Sequence, residues 1–239
     1  MSYHFVLDTH THTIVSGHAY NTINEMVRWA ADMGLELLAL TEHAPKMPGS
    51  CDELYFCNYH VLHREKYGIR VLYGAELNIM DTEGTVDLNQ YALPKLDIAI
   101  ASMHTPCYTP GSKADNLKAY AKVMEIPEVS IIGHPDDSTF AVDYDELARI
   151  AKENHVMLEL NNNSLRPSCF RKNSKENALE MLKCCMKYGT MVSLGSDAHV
   201  EEDVANFSYA TKVLEEVDFP EELIINTSAE KLMNFIQQK

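Results

Sequence analysis

The sequence predicts an α/β fold, a parallel sheet of seven strands closed into a variant of the (β/α) barrel. Three observations lead there. Short apolar or β-branched runs alternate with longer helical patterns about seven times along the chain, and that alternation is the mark of strand–helix–strand units on a parallel sheet. The runs are apolar almost throughout, as strands covered on both faces must be. The length, 239 residues, suits one domain over residues 1–239, because single α/β barrels commonly reach it. An open doubly wound sheet satisfies the same alternation, and periodicity does not separate the two.

The elements follow in order. The first strand is "FVL" (5–7), and "INEMVRWAADMG" is a helix ending at Gly34. The second strand is "LELLAL" (35–40) and the third "IRVLYGAEL" (69–77). The fourth, "LDIAIAS" (96–102), precedes the helix "SKADNLKAYAKVME", which stops before Pro127. The fifth, "VSIIGH" (129–134), precedes "DYDELARIAKEN", with its acidic first turn. The sixth, "VMLEL" (156–160), precedes "SKENALEMLKCCMKYG", which ends at Gly189. The seventh, "TMVSLGS" (190–196), precedes "VANFSYATKVLEEV" and then "SAEKLMNFI", with Ser228 as N-cap. Ser and Asp cap helix starts by accepting orphan amides, and glycine closes helix ends in the left-handed region.

Parallel barrels carry their chemistry at the C-terminal ends of the strands. Here the first strand end delivers His10 and His12, the second His43, the third Glu76 and the fourth His104. The fifth delivers His134, the sixth the polar run Asn161 to Asn163, and the seventh Asp197 and His199. His18 lies in the loop after the first strand. Seven of eleven histidines thus gather at one end, leaving His4, His60, His63 and His155 to surface or packing roles. One histidine alone is usually a satisfied core or surface residue. Seven together with two carboxylates make a donor set for metal. The two-residue spacing of His10 and His12 puts both on one face of a strand. A regular strand also turns Asp8 inward, as a partner orienting an imidazole. Nine candidate ligands exceed what one ion takes, so two or three ions are expected, and imidazole-rich N/O donors favour Zn2+, then Mn2+ or Fe2+. No cysteine joins the set, which argues for a catalytic cluster over a closed structural zinc site.

The net charge is −15, with charged residues at 23%. An acidic chain is poorly made for holding long nucleic acid or an anionic membrane. No apolar run approaches the length of a membrane span. The opening "MSYHFVLDTH" lacks a basic start and an apolar h-region, so no secretory leader is expected. Six cysteines without a CxxC pair then read as reduced thiols in a cytoplasmic protein. There is no GxSxG elbow and no Walker or dinucleotide pattern.

The motifs "HTH", "TEH", "GAE", the histidine after the fourth strand, "GHP" and "SDAH", in that order, resemble those of the PHP (polymerase and histidinol phosphatase) family. "HAYNT", "LELNNNS" and "FRKNSKEN" look most like its small stand-alone phosphatases of the YcdX type. The resemblance implies a distorted (β/α)7 barrel with three divalent ions, usually zinc. By that resemblance the first ion takes His10, His12, Glu76 and Asp197. Glu76 bridges to a second ion on His104 and His134, and the third takes His18, His43 and His199. One departure is Glu42 where the family often has Asp before the histidine.

The expected reaction is hydrolysis of a small phosphate monoester by a metal-bound hydroxide. Glu76, Asp197 and His199 are the catalytic candidates, with Asp197 or His199 as proton donor to the leaving oxygen. Arg171, Lys172, Lys113 and Arg166 are candidates for binding the phosphate, since arginine suits bidentate phosphate contacts. The Asn161 to Asn163 run either binds substrate hydroxyls or caps the strand end. The expected partner is a small phosphorylated substrate, with a homo-oligomer allowed. The other readings are a histidinol-phosphate phosphatase, a phosphodiesterase or nuclease of the family, and a non-catalytic module stabilised by metal.

Overall fold

The computed structural model describes residues 3–239. Seven parallel strands form a nearly closed barrel: β1 (Leu7–Asp8), β2 (Leu37–His43), β4 (Ile69–Asn78), β5 (Ile98–Ser102), β6 (Val129–Ile132), β7 (Met157–Asn161) and β8 (Val192–Gly195), paired in that order. The short β3 (Glu65–Lys66) pairs antiparallel with β4. It was not foreseen, and two residues beside a tight Tyr67–Gly68 turn are too short to carry a period. Helices α1 (Ile23–Asp32), α3 (Lys113–Met124), α4 (Tyr144–Glu153), α5 (Ser174–Tyr188) and α6 (Ser208–Glu216) cover the outside. Between β2 and β3 lie only the five-residue α2 (Glu53–Cys57) and one 3-10 turn (Tyr59–Val61), and α7 (Ala229–Gln237) is the last helix.

The starts and stops obey the expected chemistry. Thr22 and Ser112 each form a capping box, with Glu25 and Asp115 respectively. Ser228 accepts from the Lys231 amide, and Gly189 ends α5 at φ 68°.

The strands alternate between two environments. Leu38, Leu40, Val71, Tyr73, Ala99 and Leu158 face the helices and form the larger core. Leu7, Leu37, Ala39, Leu72, Ile98, Ile100, Ile131 and Met157 fill the barrel interior, and Ile225, in the turn before α7, and Leu232 of α7 close its floor. Higher up, the interior residues become polar, and that change marks where the site begins.

The seam between β1 and β8 is the distortion in the barrel. Near the floor, buried Asn226 spans it, donating to the Leu7 and Leu194 carbonyls and accepting from the Leu194 amide. One side chain thus does the pairing a ladder would do. Toward the mouth the seam closes directly, where the Asp197 amide donates to the His10 carbonyl and the His12 amide to the Ala198 carbonyl, both at 2.9 Å.

Candidate metal centre

Strand β1 ends at Asp8, and this corrects the expectation for that residue. Leu7 points into the barrel, so Asp8 points out of it. Its carboxylate accepts from the backbone amides of His10, Ser196 and Ala205, and it orients no imidazole. The chain then changes phase and brings both His10 and His12 inward.

All nine candidate ligands line this mouth. The His10 and His12 Nε2 atoms lie 3.1 Å apart. From the Glu76 Oε2 atom, His10 Nε2 is 3.5 Å and His12 Nε2 is 3.7 Å. From Asp197 Oδ1 the same nitrogens are 3.8 and 3.4 Å away. A tetrahedral ion with ligands at 2.0–2.2 Å needs ligand separations of roughly 3.3–3.6 Å. The separations among these four residues, 3.1–3.8 Å, bracket that range. On its other oxygen, Glu76 Oε1 lies 2.8 Å from His134 Nε2 and 3.2 Å from His104 Nε2. His43 Nε2 is 3.2 Å from His18 Nε2, and its Nδ1 is 2.6 Å from Glu76 Oε2. The His199 ring centroid is 4.6 Å from that of His12 and 4.7 Å from that of His18.

Hydrogen bonds behind the rings fix which nitrogen faces inward. His10 Nδ1–H donates to the Glu159 carboxylate at 2.7 Å. Ser16 spends its only hydroxyl hydrogen on Glu42, so it accepts the Nδ1–H of His12 at 3.2 Å. Asn78 gives its amide hydrogens to Asp87 and Ala44, so its oxygen accepts the Nδ1–H of His104 at 2.8 Å. His199 Nδ1–H donates to the Asp197 carbonyl. Each of these rings therefore turns an Nε2 lone pair toward the centre. His10 and His12 then place two lone pairs 3.1 Å apart, an arrangement that repels unless a cation is shared between them. Glu76 Oε2 and His104 Nε2 are buried and make no hydrogen bond among the described residues. Buried polar atoms are rarely left so without a ligand.

Burial would lower the His10 imidazole, but the Glu159, Glu76 and Asp197 carboxylates raise it well above its usual range, so without metal a proton takes the cation's place between His10 and His12. Burial alone would raise the Glu76 carboxyl, but the His104, His10 and His43 imidazoles hold it well below the usual range. Burial would likewise raise Asp197, and His10, His12 and Arg171 hold it well down. Burial and the neighbouring His43 keep His12 far below an ordinary imidazole. Two candidate ligands also sit in the left-handed backbone region, His134 at φ 29° and Asp197 at φ 56°. Residues held there are typically found where the surroundings dictate position.

Besides Asn78, two acids behind the ligands were not foreseen in that role. Glu159 lies inside β7, so the sixth strand does carry an acid to the site: Oε1 holds His10 and Oε2 accepts the His134 amide at 2.7 Å. An acid inside the apolar run "VMLEL" was the available signal. Glu42 is the other. Its carboxylate accepts from the Thr13 amide and hydroxyl and from Ser16, and so fixes the His12 tautomer.

The phosphate-binding candidates separate. Arg171, 9% exposed, lines the cleft over the centre and donates to Asp197 Oδ2 from both Nη atoms, at 3.2 and 3.3 Å. Arg166 instead pairs with Asp203 at 2.6 Å. Lys113 begins α3, capped by Ser112, and the exposed Lys172 meets Asp137 only through its amide. The lining of the cleft does not include Lys113, Arg166 or Lys172. Of the asparagines, Asn162 accepts from the amides of Tyr209 and Ala210 and so starts α6. Asn161 and Asn163 both donate to Asp197 Oδ2. The four remaining histidines stay away from the centre, and His155 stacks on Phe235 with centroids 3.8 Å apart.

The cleft encloses about 390 Å³ and is lined by His18, His43, His104, His134, Asp197 and His199 on one side. A larger concavity of about 930 Å³ lies at the opposite end of the strands, beside Glu36, Arg70 and Glu230. It holds none of these groups, and size alone does not make it the site.

The PHP domain family model matches residues 8–165. A probable phosphatase from Clostridium novyi is 43% identical over 235 residues, covering 98% of this chain and 96% of its own. Another, from Caldicellulosiruptor saccharolyticus, is 44% identical over 231 residues, covering 97% and 95%. The histidinol phosphate phosphatase of Lactococcus lactis, solved with zinc, L-histidinol and phosphate, superposes with a TM-score of 0.61 at 17% identity, covering 90% of this chain and 94% of its own. A chain of an archaeal ribonuclease P complex with mature tRNA superposes with a TM-score of 0.60 at 18% identity, covering 97% and 91%.

Proposed function

The chain belongs to the PHP domain family, and from that premise we propose that it is a metal-dependent phosphatase cleaving small phosphate monoesters. The observation that carries this is the pair of His10 and His12 lone pairs facing one another beside Glu76 and Asp197. Relatives above 40% identity, named as probable phosphatases, support the same class. The two structural neighbours share the fold and differ in what they do, so they do not choose a substrate.

The donor set suits three divalent ions, with zinc foremost and Mn2+ or Fe2+ next. His10, His12, Glu76 and Asp197 would hold the first, Glu76 with His104 and His134 the second, and His18, His43 and His199 the third. When bound, the cations would deprotonate a water near neutral pH and neutralise charge on the phosphate. One domain over residues 1–239 is the economical reading, since Asp197 and His199 come from beyond the matched residues 8–165. Six free cysteines fit a cytoplasmic setting, and no helix among the described residues is long and apolar enough to cross a membrane.

The protein's own groups divide the remaining work. Arg171 is anchored by Asn161, Ser164 and Asp197 and would take phosphate oxygens. Asp197 is a poor proton donor here. One oxygen faces His10 and His12, and the other accepts from Arg171, Asn161 and Asn163. His199 is no better a donor once its Nε2 holds the third ion, because its Nδ1–H goes to the Asp197 carbonyl, so the proton to the leaving oxygen would come from water in the cleft.

A substrate panel tests this. Protein of measured metal content should hydrolyse p-nitrophenyl phosphate faster than bis-p-nitrophenyl phosphate, and leave single-stranded DNA intact. Histidinol phosphate in the same panel tests the amino-alcohol reading. No turnover of any of the four at full metal occupancy would overturn the proposal. A Glu76→Ala protein that kept both metal and activity would remove the bridging role.

A further inference from the structure

Part of the cleft's lining besides the histidines is apolar. Met47, Met103, Pro106 and Phe140 supply it, and Phe170 stands at the cleft's lip with 82% of its surface exposed. Isolated exposed hydrophobic residues are ordinary on a protein surface. Tyr20 and Tyr91 are comparably exposed and do not line this cleft. Phe170 differs in lining the same cleft as these apolar residues and in standing next to the arginine that would take phosphate. The Arg171 guanidinium carbon lies over one face of the Phe170 ring, 5.7 Å from its centroid, so a phosphate on the arginine and a ring on the other face of Phe170 can belong to one small molecule. The one carboxylate in the lining outside the candidate ligands is Asp137, whose Oδ1 accepts from the amides of Thr139 and Lys172; a cationic leaving group would have to reach its other oxygen, whereas an apolar ring needs only the lip.

We propose that Phe170 is a specificity-determining residue, and that the preferred substrates are phosphate monoesters whose leaving group is a planar, apolar ring that stacks on it. This rests on the phosphatase reading for the word substrate, and the test is chosen to separate the two. Phenylphosphonate and methylphosphonate carry the same anionic head and are not hydrolysed, so their binding reads the lip without the reaction. Calorimetry on the metal-loaded protein should find phenylphosphonate about tenfold tighter, the scale of one aromatic pair. Phe170→Ala should bring the two within about twofold by losing phenylphosphonate affinity alone, and Phe170→Trp should keep the preference. In turnover, Phe170→Ala should raise KM for p-nitrophenyl phosphate more than for glycerol phosphate. A wild-type protein without preference, or a preference that survives in Phe170→Ala, overturns the inference. So does equal weakening of both phosphonates, and if the mass by light scattering also falls, Phe170 is a subunit contact instead. A protein that prefers phenylphosphonate but hydrolyses no monoester keeps the lip and loses the phosphatase reading.

Discussion

Replacing Glu159 with glutamine keeps the size of the side chain and removes its charge. The carboxylate orients His10 from behind, and its other oxygen fixes the His134 amide. Removing the partner behind a metal-binding imidazole typically costs about 10–100-fold in metal affinity. Glu159→Gln should show that loss in a Zn2+ or Mn2+ titration while its far-ultraviolet circular dichroism is unchanged. Unchanged metal affinity would reduce Glu159 to a packing role. The thiols give a second prediction at this scale. Burial pushes both Cys51 and Cys107 up to about 11. The sign is that of an acid held neutral: below the ordinary thiol range nothing changes, and between there and pH 11 these thiols remain protonated where a free one is thiolate. The thiolate fraction falls steeply at pH 8, partly offset by its greater nucleophilicity, so iodoacetamide should label both roughly tenfold more slowly than free cysteine. Labelling at the free rate would show that these positions open to solvent.

At the scale of elements, the site depends on how closely β1, β7 and β8 approach. Gly195 ends β8, and a Cβ built there would fall 2.0 Å from Glu159 Oε1 and 2.7 Å from His10 Cβ. Gly195→Ala should therefore cost about 1–3 kcal/mol in urea unfolding through overpacking. It should also lower metal affinity, because the displaced atoms belong to the His10–Glu159 pair. A fully stable variant that binds metal normally would mean the seam is softer than it looks. The elements themselves were largely legible in the sequence. Buried parallel strands write themselves as apolar runs, and caps such as Ser228 and Gly189 stand where the chain says. What escaped was whatever needed a long-range partner. Asn226 reads as an ordinary polar residue until β1 and β8 stand on either side of it. Arg166 reads as a phosphate ligand until Asp203 comes within 2.6 Å. The nine candidate ligands were visible because they recur at strand ends. The atoms that orient them, Glu42, Asn78 and Glu159, were not, because an isolated acid or amide has no period.

For the molecule as a whole, a loaded centre would serve the fold as well as the reaction. The chain carries a net charge of −15, and Glu76 and Asp197 keep negative charge buried at the barrel mouth. Around them stand seven imidazoles, several with an inward lone pair fixed by the scaffold. Neither set is comfortable alone, since like lone pairs repel and buried carboxylates need compensation. Divalent ions would satisfy both at once, and would do so only when strands from both ends of the sequence have come together. Their binding energy would then be folding energy. An ion held at a thousandfold excess over its Kd contributes about 4 kcal/mol to stability. For a chain of this size each kcal/mol moves Tm by about 2–4 °C, so removing one such ion should lower Tm by roughly 10 °C. Exhaustive chelation should lower the calorimetric Tm by at least that much, and added Zn2+ or Mn2+ should restore it in proportion to metal bound. Recovery should follow metal occupancy and not ionic strength, because matched Na+ or K+ screens the surface charge without filling the centre. A Tm that ignores chelation while metal is shown to leave would mean the barrel holds its mouth open without the ions, and would count against the centre as a structural element.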